Sequence, residues 1–256
     1  MKNTLVLLAV LAAGSAQAWD CKFAKDIDVS LDLAGSEQLR VAAAAGDLEI
    51  VGHAGTTEAR VRGKVCASEE EWLEQADLIT EGGRDASITV SLPDSGNGWS
   101  WTGSQYVYMD LQIDVPSGIA LAIRDSSGDV EIEGTGAVTL QDSSGDIDIG
   151  NVTGDVVLED SSGDIDLLAI AGNVTVRQDS SGDIDGHRIE GSVRVEKDSS
   201  GNIHFEQVRD DFVVERDSSG DIVAETIGGD FRVLKDGSGE IRSRDVTGSV
   251  DIPDQG

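Results

Sequence analysis

Seven near-copies of Asp-Ser-Ser-Gly-Asp recur through the second half of the chain, beginning at Asp125, Asp142, Asp160, Asp179, Asp198, Asp217 and Asp236. The steps between them are 17, 18, 19, 19, 19 and 19 residues. A fixed period near 19 predicts a stacked solenoid in which each repeat is one coil. One such coil cannot bury its apolar face alone, so the repeats must fold as an array.

Numbering each coil from its first Asp exposes the pattern. Position 6 is Val130, Ile147, Ile165, Ile184, Ile203, Ile222 and Ile241; position 8 is Ile132, Ile149, Leu167, Gly186, Phe205, Ala224 and Ser243. In the 19-residue coils, position 15 is Val174, Val193, Phe212, Phe231 and Val250, and position 17 is Val176, Val195, Val214, Val233 and Ile252. Alternation with period 2 at 6/8 and at 15/17 predicts two short strands per coil. Position 11 (Ile170, Ile189, Val208, Ile227, Val246) falls in the corner between them, where Gly at position 13 is expected to help the turn. The Ser-Ser-Gly segment makes the other corner. At position 8 the shrinkage to Ala224 and Ser243 predicts a narrower or wetter core near the C-terminal end.

The pattern extends upstream. Ala45-Gly46-Asp47-Leu48-Glu49-Ile50 fills the slots of Ser-Gly-Asp-Ile-Asp-Ile, and Ile119, Leu121 and Ile123 precede Asp125 as a second strand would. Ser68–Thr80, with a Ser N-cap, early acids and Trp72, Leu73, Ala76 and Ile79 on one face, predicts a helix. Ile88–Leu92 and Tyr106–Val115 read as strands, and Pro116-Ser117-Gly118 as a turn. The expected fold is therefore all-β: a single-stack β-solenoid with two short strands per coil and an N-terminal cap containing one short helix. The expected divisions are a signal peptide at 1–18, a capping region with the first coils at 19–118, and the repeat solenoid at 119–256.

Lys2, the apolar run Leu5–Ala13 and Ala16-Gln17-Ala18 have the three parts of a secretory signal. That run is too short to span a bilayer and no later segment is apolar enough, so no membrane insertion is expected. In an exported chain the only two cysteines, Cys21 and Cys66, predict one disulfide. Closing that loop stabilises by roughly 4 kcal/mol in the chain-entropy description. With 49 acidic against 19 basic residues, the formal net charge is −30. Such a surface repels nucleic acid and anionic lipid and attracts cations or basic partners.

The repeated serines do not read as nucleophiles. A nucleophile needs one base beside one activated hydroxyl, whereas here seven equivalent copies accompany three histidines, His53, His187 and His204. The first Asp of each corner reads as a turn residue, bonding backbone N–H groups of its own turn. Its stacked charges would be offset by Arg124, Lys197, Arg216 and Lys235, one residue before it. Outward positions 5 and 7 carry carboxylates throughout coils 1 to 4. In the last three coils they become Asn202/His204, Asp221/Val223 and Glu240/Arg242, a broken column. Residues two apart on a strand share a face. Asp146, Asp148, Asp164, Asp166, Asp183 and Asp185 are therefore candidate ligands for a hard cation such as calcium. No other cofactor is expected. Trp99 and Trp101, set among Gly and Ser, are candidate ligand contacts through stacking.

Together, Ala45-Gly46-Asp47-Leu48-Glu49-Ile50, Val115-Pro116-Ser117-Gly118 and the Asp-Ser-Ser-Gly-Asp series resemble a bacterial family of unknown function whose members are labelled "putative adhesin". The resemblance spans residues from about 37 to 252. It implies an exported β-solenoid in contact with the surface or envelope, and it brings no catalytic residues. No translocator barrel or cell-wall sorting signal is legible, so the periplasm is expected ahead of secretion or the cell surface. The expected function is a non-enzymatic binding or scaffold module of the cell envelope. The alternatives are a cation-stabilised structural or adhesive protein and, more distantly, a glycan-active β-helix enzyme. The expected partners are an unidentified envelope or surface molecule and a second copy joined end to end.

Overall fold

The computed structural model describes residues 21–93 and 105–253. The signal segment, Trp99 and Trp101 lie outside the described residues. Two sheets of 11 strands each enclose one file of apolar side chains. In coils 1 to 7 the front sheet takes Val130–Glu133, Ile147–Gly150, Ile165–Ile170, Ile184–Ile189, Ile203–Val208, Ile222–Ile227 and Ile241–Val246. The back sheet takes Val138–Gln141, Val156–Glu159, Val174–Gln178, Val193–Val195, Phe212–Val214, Phe231–Val233 and Val250–Asp251. Neighbouring coils pair in parallel and in register, so that Ile147, Ile165, Ile184 and Ile203 are successive partners. Side-chain alternation is what holds this register, because a one-residue slip would turn every Ile outward.

Chain order and spatial order differ at the N-terminal end. Gln38–Ala42 and Leu48–His53 form one coil, with Leu48 beside Val130 and Ile50 beside Ile132. The next coil in space is built from Asp85–Ser91 and Val107–Pro116. From Pro116 the chain steps over the coil already laid down and resumes at Ala120–Arg124 on its other side. Phe23–Asp32 and Glu58–Ala67 then pair antiparallel to close the front sheet. Asp77–Glu81 closes the back sheet in the same way. These antiparallel strands end the parallel stack at its N-terminal end. A Cys21–Cys66 disulfide, with Cα atoms 5.3 Å apart, ties this cap together.

The helix is shorter than its sequence pattern predicts. It spans Glu70–Gln75, follows Glu69 with no side-chain cap, and buries Trp72. Ser68 instead accepts a hydrogen bond from Tyr106 N–H, at 3.2 Å. Lys25 Nζ donates to the carbonyls of Leu73 and Ala76, which terminates the helix. Residues 77–81 become the edge strand, whose alternation buries Leu78 and leaves Ile79 46% exposed.

The late core stays filled through coil 6 and becomes wetter, as expected, only in the last coil. The rings of Phe205 and Phe212 pack tilted with centroids 5.0 Å apart, those of Phe212 and Phe231 stack at 5.3 Å, and Phe205 is the strand partner of Ala224. Gly186 admits the Phe205 ring where a Cβ would stand. In the last coil the inward columns open to solvent: Ser243 is exposed, as are Val250 at 46% and Ile252 at 40%.

The corner glycines at position 13 also act differently from expectation. None has positive φ. They are glycine because a Cβ at Gly172 or Gly191 would meet the backbone of the coil before. The residue that does turn the corner is position 10. Asn151, Ala169, Arg188, Gln207, Thr226 and Asp245 stand there at φ between 52° and 61°.

Candidate functional site

The repeated pentapeptide bonds mainly between coils, not within its own turn. The position-3 serine reaches back: Ser200 Oγ donates to Ser180 O at 3.0 Å, and Ser219 Oγ to Ser199 O at 3.2 Å. Position 5 reaches forward, one carboxylate oxygen accepting the position-5 amide of the next coil. Asp146 N–H donates to Asp129 (3.0 Å), Asp164 N–H to Asp146 (3.0 Å) and Asp183 N–H to Asp164 (2.8 Å). The file begins at Asp110 and Asp47 in the first coils and runs on to Glu240. Asn202 does not break it, since its side-chain oxygen accepts Asp221 N–H at 3.0 Å. A carboxamide oxygen serves where a carboxylate oxygen would, which is why Asn fits this slot. That Asn was the one sequence signal of the ladder.

Position 7 behaves otherwise. Glu131, Asp148, Asp166 and Asp185 lie side by side across parallel strands on the outer front face, followed by His204, Val223 and Arg242. Here the break read from the sequence is real. With positions 7 and 9 of coils 1 to 5, this face forms an open groove of about 590 Å³, lined by acids, Leu168, His187 and His204. Partial burial raises the Asp166 carboxyl above its ordinary range, and the charges of Asp148, Asp185, Asp164 and Asp146 add to it. His204 Nδ1 lies 3.0 Å from Asp185, and His187 Nδ1 3.5 Å from Glu206. The six candidate cation ligands are thus split. Asp146, Asp164 and Asp183 spend an oxygen on the backbone ladder, while Asp148, Asp166 and Asp185 face solvent. Among the described residues, no group of three acids, histidines or cysteines has metal-holding geometry.

The first Asp of the first six corners is buried, and Asp236 in the seventh is half-buried. Asp125 and Asp142 are 6% exposed, Asp160 2%, Asp179 and Asp198 0%, and Asp217 1%. Own-turn serine amides lie near every one of these carboxylates, but reach good hydrogen-bond geometry in the later coils: Ser180 N–H to Asp179 at 2.7 Å, Ser199 N–H to Asp198 at 2.6 Å, and Ser219 N–H to Asp217 at 3.1 Å. Neither side-chain oxygen of Asp125, Asp142 or Asp160 has a donor, and one oxygen of each later Asp also lacks one. The expected basic offset is not made. Arg124 instead donates along the outer back face to Gln141, at 3.2 Å, and Gln141 to Glu159 at 2.8 Å. No arginine or lysine bonds a corner carboxylate among the described residues. Burial is the main cause that pushes Asp125 and Asp198 up to about 7 and Asp160 to about 6; neighbouring corner charges add to it. Asp142, Asp179 and Asp217 are raised for the same first reason.

No family model and no curated protein matches the chain. Among solved structures, it overlaps a "putative cell adhesion protein" from Clostridium sporogenes at 14% identity, covering 90% of this chain and 99% of that one, with a TM-score of 0.36. A "putative lipid binding protein" from Parabacteroides distasonis overlaps at 14% identity, with 90% and 97% coverage and a TM-score of 0.41. A "putative adhesin" from Bacteroides fragilis overlaps at 13% identity, with the same coverages and a TM-score of 0.35. Among the described residues, no helix is long and apolar enough to cross a membrane. At TM-scores below 0.5 these overlaps transfer neither an activity nor a partner to this chain.

Proposed function

We propose that this protein is an exported, non-enzymatic binding or scaffold module of the bacterial cell envelope, acting through the outer front face of its solenoid. One observation carries the reading: an open, acidic groove built in one-coil steps by Glu131, Asp148, Asp166 and Asp185, with Leu168 43% exposed in its floor. Such a face suits an extended, basic partner surface. Small-molecule sites, by contrast, are concave and mostly apolar. The signal segment and the disulfide support export. The test is capture from envelope extract at physiological salt, comparing the native protein with the variant Asp148→Asn, Asp166→Asn, Asp185→Asn. The variant is expected to lose the captured partner. Equal capture by both would move the binding surface elsewhere.

A second reading, stabilisation by calcium at the same face, is favoured by the crowding of negative charge around Asp166. A ligand of the native state raises the melting temperature by mass action. Millimolar calcium should then raise it more than sodium chloride of equal ionic strength. Replacing Asp146, Asp148, Asp164 and Asp166 with Asn should remove the excess. Equal effects of the two salts would leave only charge screening.

A further inference from the structure

The corner file is the largest unexplained feature of the molecule. Six stacked aspartates, 0–6% exposed, continue to a seventh, Asp236, and each presents at least one buried oxygen with no donor. Unpaired carboxylates in such a place are costly. Bulk water does not reach these oxygens, which leaves a basic side chain, a cation or a proton to relieve them. No lysine or arginine reaches them, as shown above. A hard cation favours several carboxylates converging on one point, and among the described residues no group of three acids, histidines or cysteines is placed to hold one. A proton needs no cavity and turns two facing acceptors into a donor and an acceptor.

We propose that the corner column binds protons at neutral pH, each shared between carboxyl groups of adjacent coils, and that their release as pH rises loosens the stack. A protonated carboxyl in one coil donates through its O–H to a carboxylate oxygen of the next, and each proton held removes one negative charge. The surroundings favour uptake. The negative charges of Asp129, Asp164 and Asp236 act on Asp142, Asp179 and Asp217 in turn. Glu159 and Arg177 line a shallow cavity beside Asp142 and Asp160, where they pair with each other at 3.1 Å. At the N-terminal end the column stops at an uncharged residue. Ala43 N–H donates to Arg124 O as Asp125 N–H does to Gln141 O, so Ala43 fills the corner slot.

The sign follows from linkage. Groups whose folded pKa lies above the ordinary value of 3.8 stabilise fully below that value, and the contribution is lost as pH rises through about 6 to 7. The experiment is thermal unfolding from pH 5 to pH 8.5 at constant ionic strength, on the native protein, Asp160→Asn, and the surface control Asp166→Asn. The native melting temperature is expected to fall by about 5–10 °C across that range. Asp160→Asn should flatten the fall and melt above the native protein at pH 8.5, and Asp166→Asn should keep most of the native slope. Infrared absorption gives a second readout: the native protein at pH 6 should show the C=O band of protonated carboxyls, reduced in Asp160→Asn. A flat or rising melting temperature, an unchanged slope in Asp160→Asn, or no protonated-carboxyl band would each overturn the proposal. So would millimolar calcium that restores the stability lost at pH 8.5 in the native protein but not in Asp160→Asn, because the column would then hold a cation.

Discussion

The first and last aspartates of one pentapeptide have opposite fates. Asp160 and Asp164 are four residues apart in coil 3. The first is 2% exposed, with neither oxygen bonded and its carboxyl pushed up to about 6. The second is exposed, and its oxygen accepts the amide of Asp183 in the next coil at 2.8 Å. Residue type and repeat period are the same for both. Only the side of the corner differs: one points into the file between the sheets and the other lies along the rim. Stacking magnifies whichever role a position has, because each side chain meets its own copy above and below.

The largest effect that sharpens this contrast is Ile184→Asp. It places a lone carboxylate in the 0%-exposed core, with no neighbouring carboxyl to share a proton. A loss of more than about 4 kcal/mol is expected in denaturant unfolding. A smaller cost, near that of a corner change, would mean that the core tolerates carboxylates generally and that the file is not special. Next comes the cap. Reducing Cys21–Cys66 should cost about 2–4 kcal/mol. It should leave the pH dependence of unfolding in place, since the bridge lies outside the repeat coils. If reduction abolished the pH dependence, the cap rather than the corner file would be its source.

Smaller effects probe the rim. Asp164→Ala should cost about 1 kcal/mol by leaving the Asp183 amide without its acceptor, and Asp164→Asn should be close to neutral, as Asn202 already shows. Equal losses for both variants would mean that charge, not the hydrogen bond, is what position 5 supplies. Smallest is Thr226→Asn. Thr226 holds φ at 58°, where a β-branched residue is strained and Asn is tolerated, so a gain of about 0.5–1 kcal/mol is expected. An unchanged melting temperature would show that stacking has already relaxed the left-handed column.

Much of the architecture was legible before any coordinates. The period, the inward columns and the cysteine pair each rest on local or countable features, and all reappear in the fold. The helix was over-read because Leu78 fits an edge strand as well as a helix face, and Lys25, far upstream, decides where the helix ends. Position 10 was missed because Asn, Ala, Arg, Gln, Thr and Asp share no chemistry that marks a left-handed turn. The rim ladder is hidden in the sequence because positions 5 and 7 both carry acids in coils 1 to 4, whereas the first meets the next coil's amide and the second its counterparts in adjacent coils.

By itself the sequence determined that the chain is a stack of two-stranded coils with an aliphatic file inside, because alternation and period are recorded residue by residue along the chain. Tertiary structure alone decided which atoms meet across the coil step. It placed residues 38–53 between two later segments, gave position 5 to the next coil's amide, and sealed position 1 away from water. Those outcomes depend on groups about 19 residues or more away, and the same pentapeptide is compatible with either fate until its neighbours are in place.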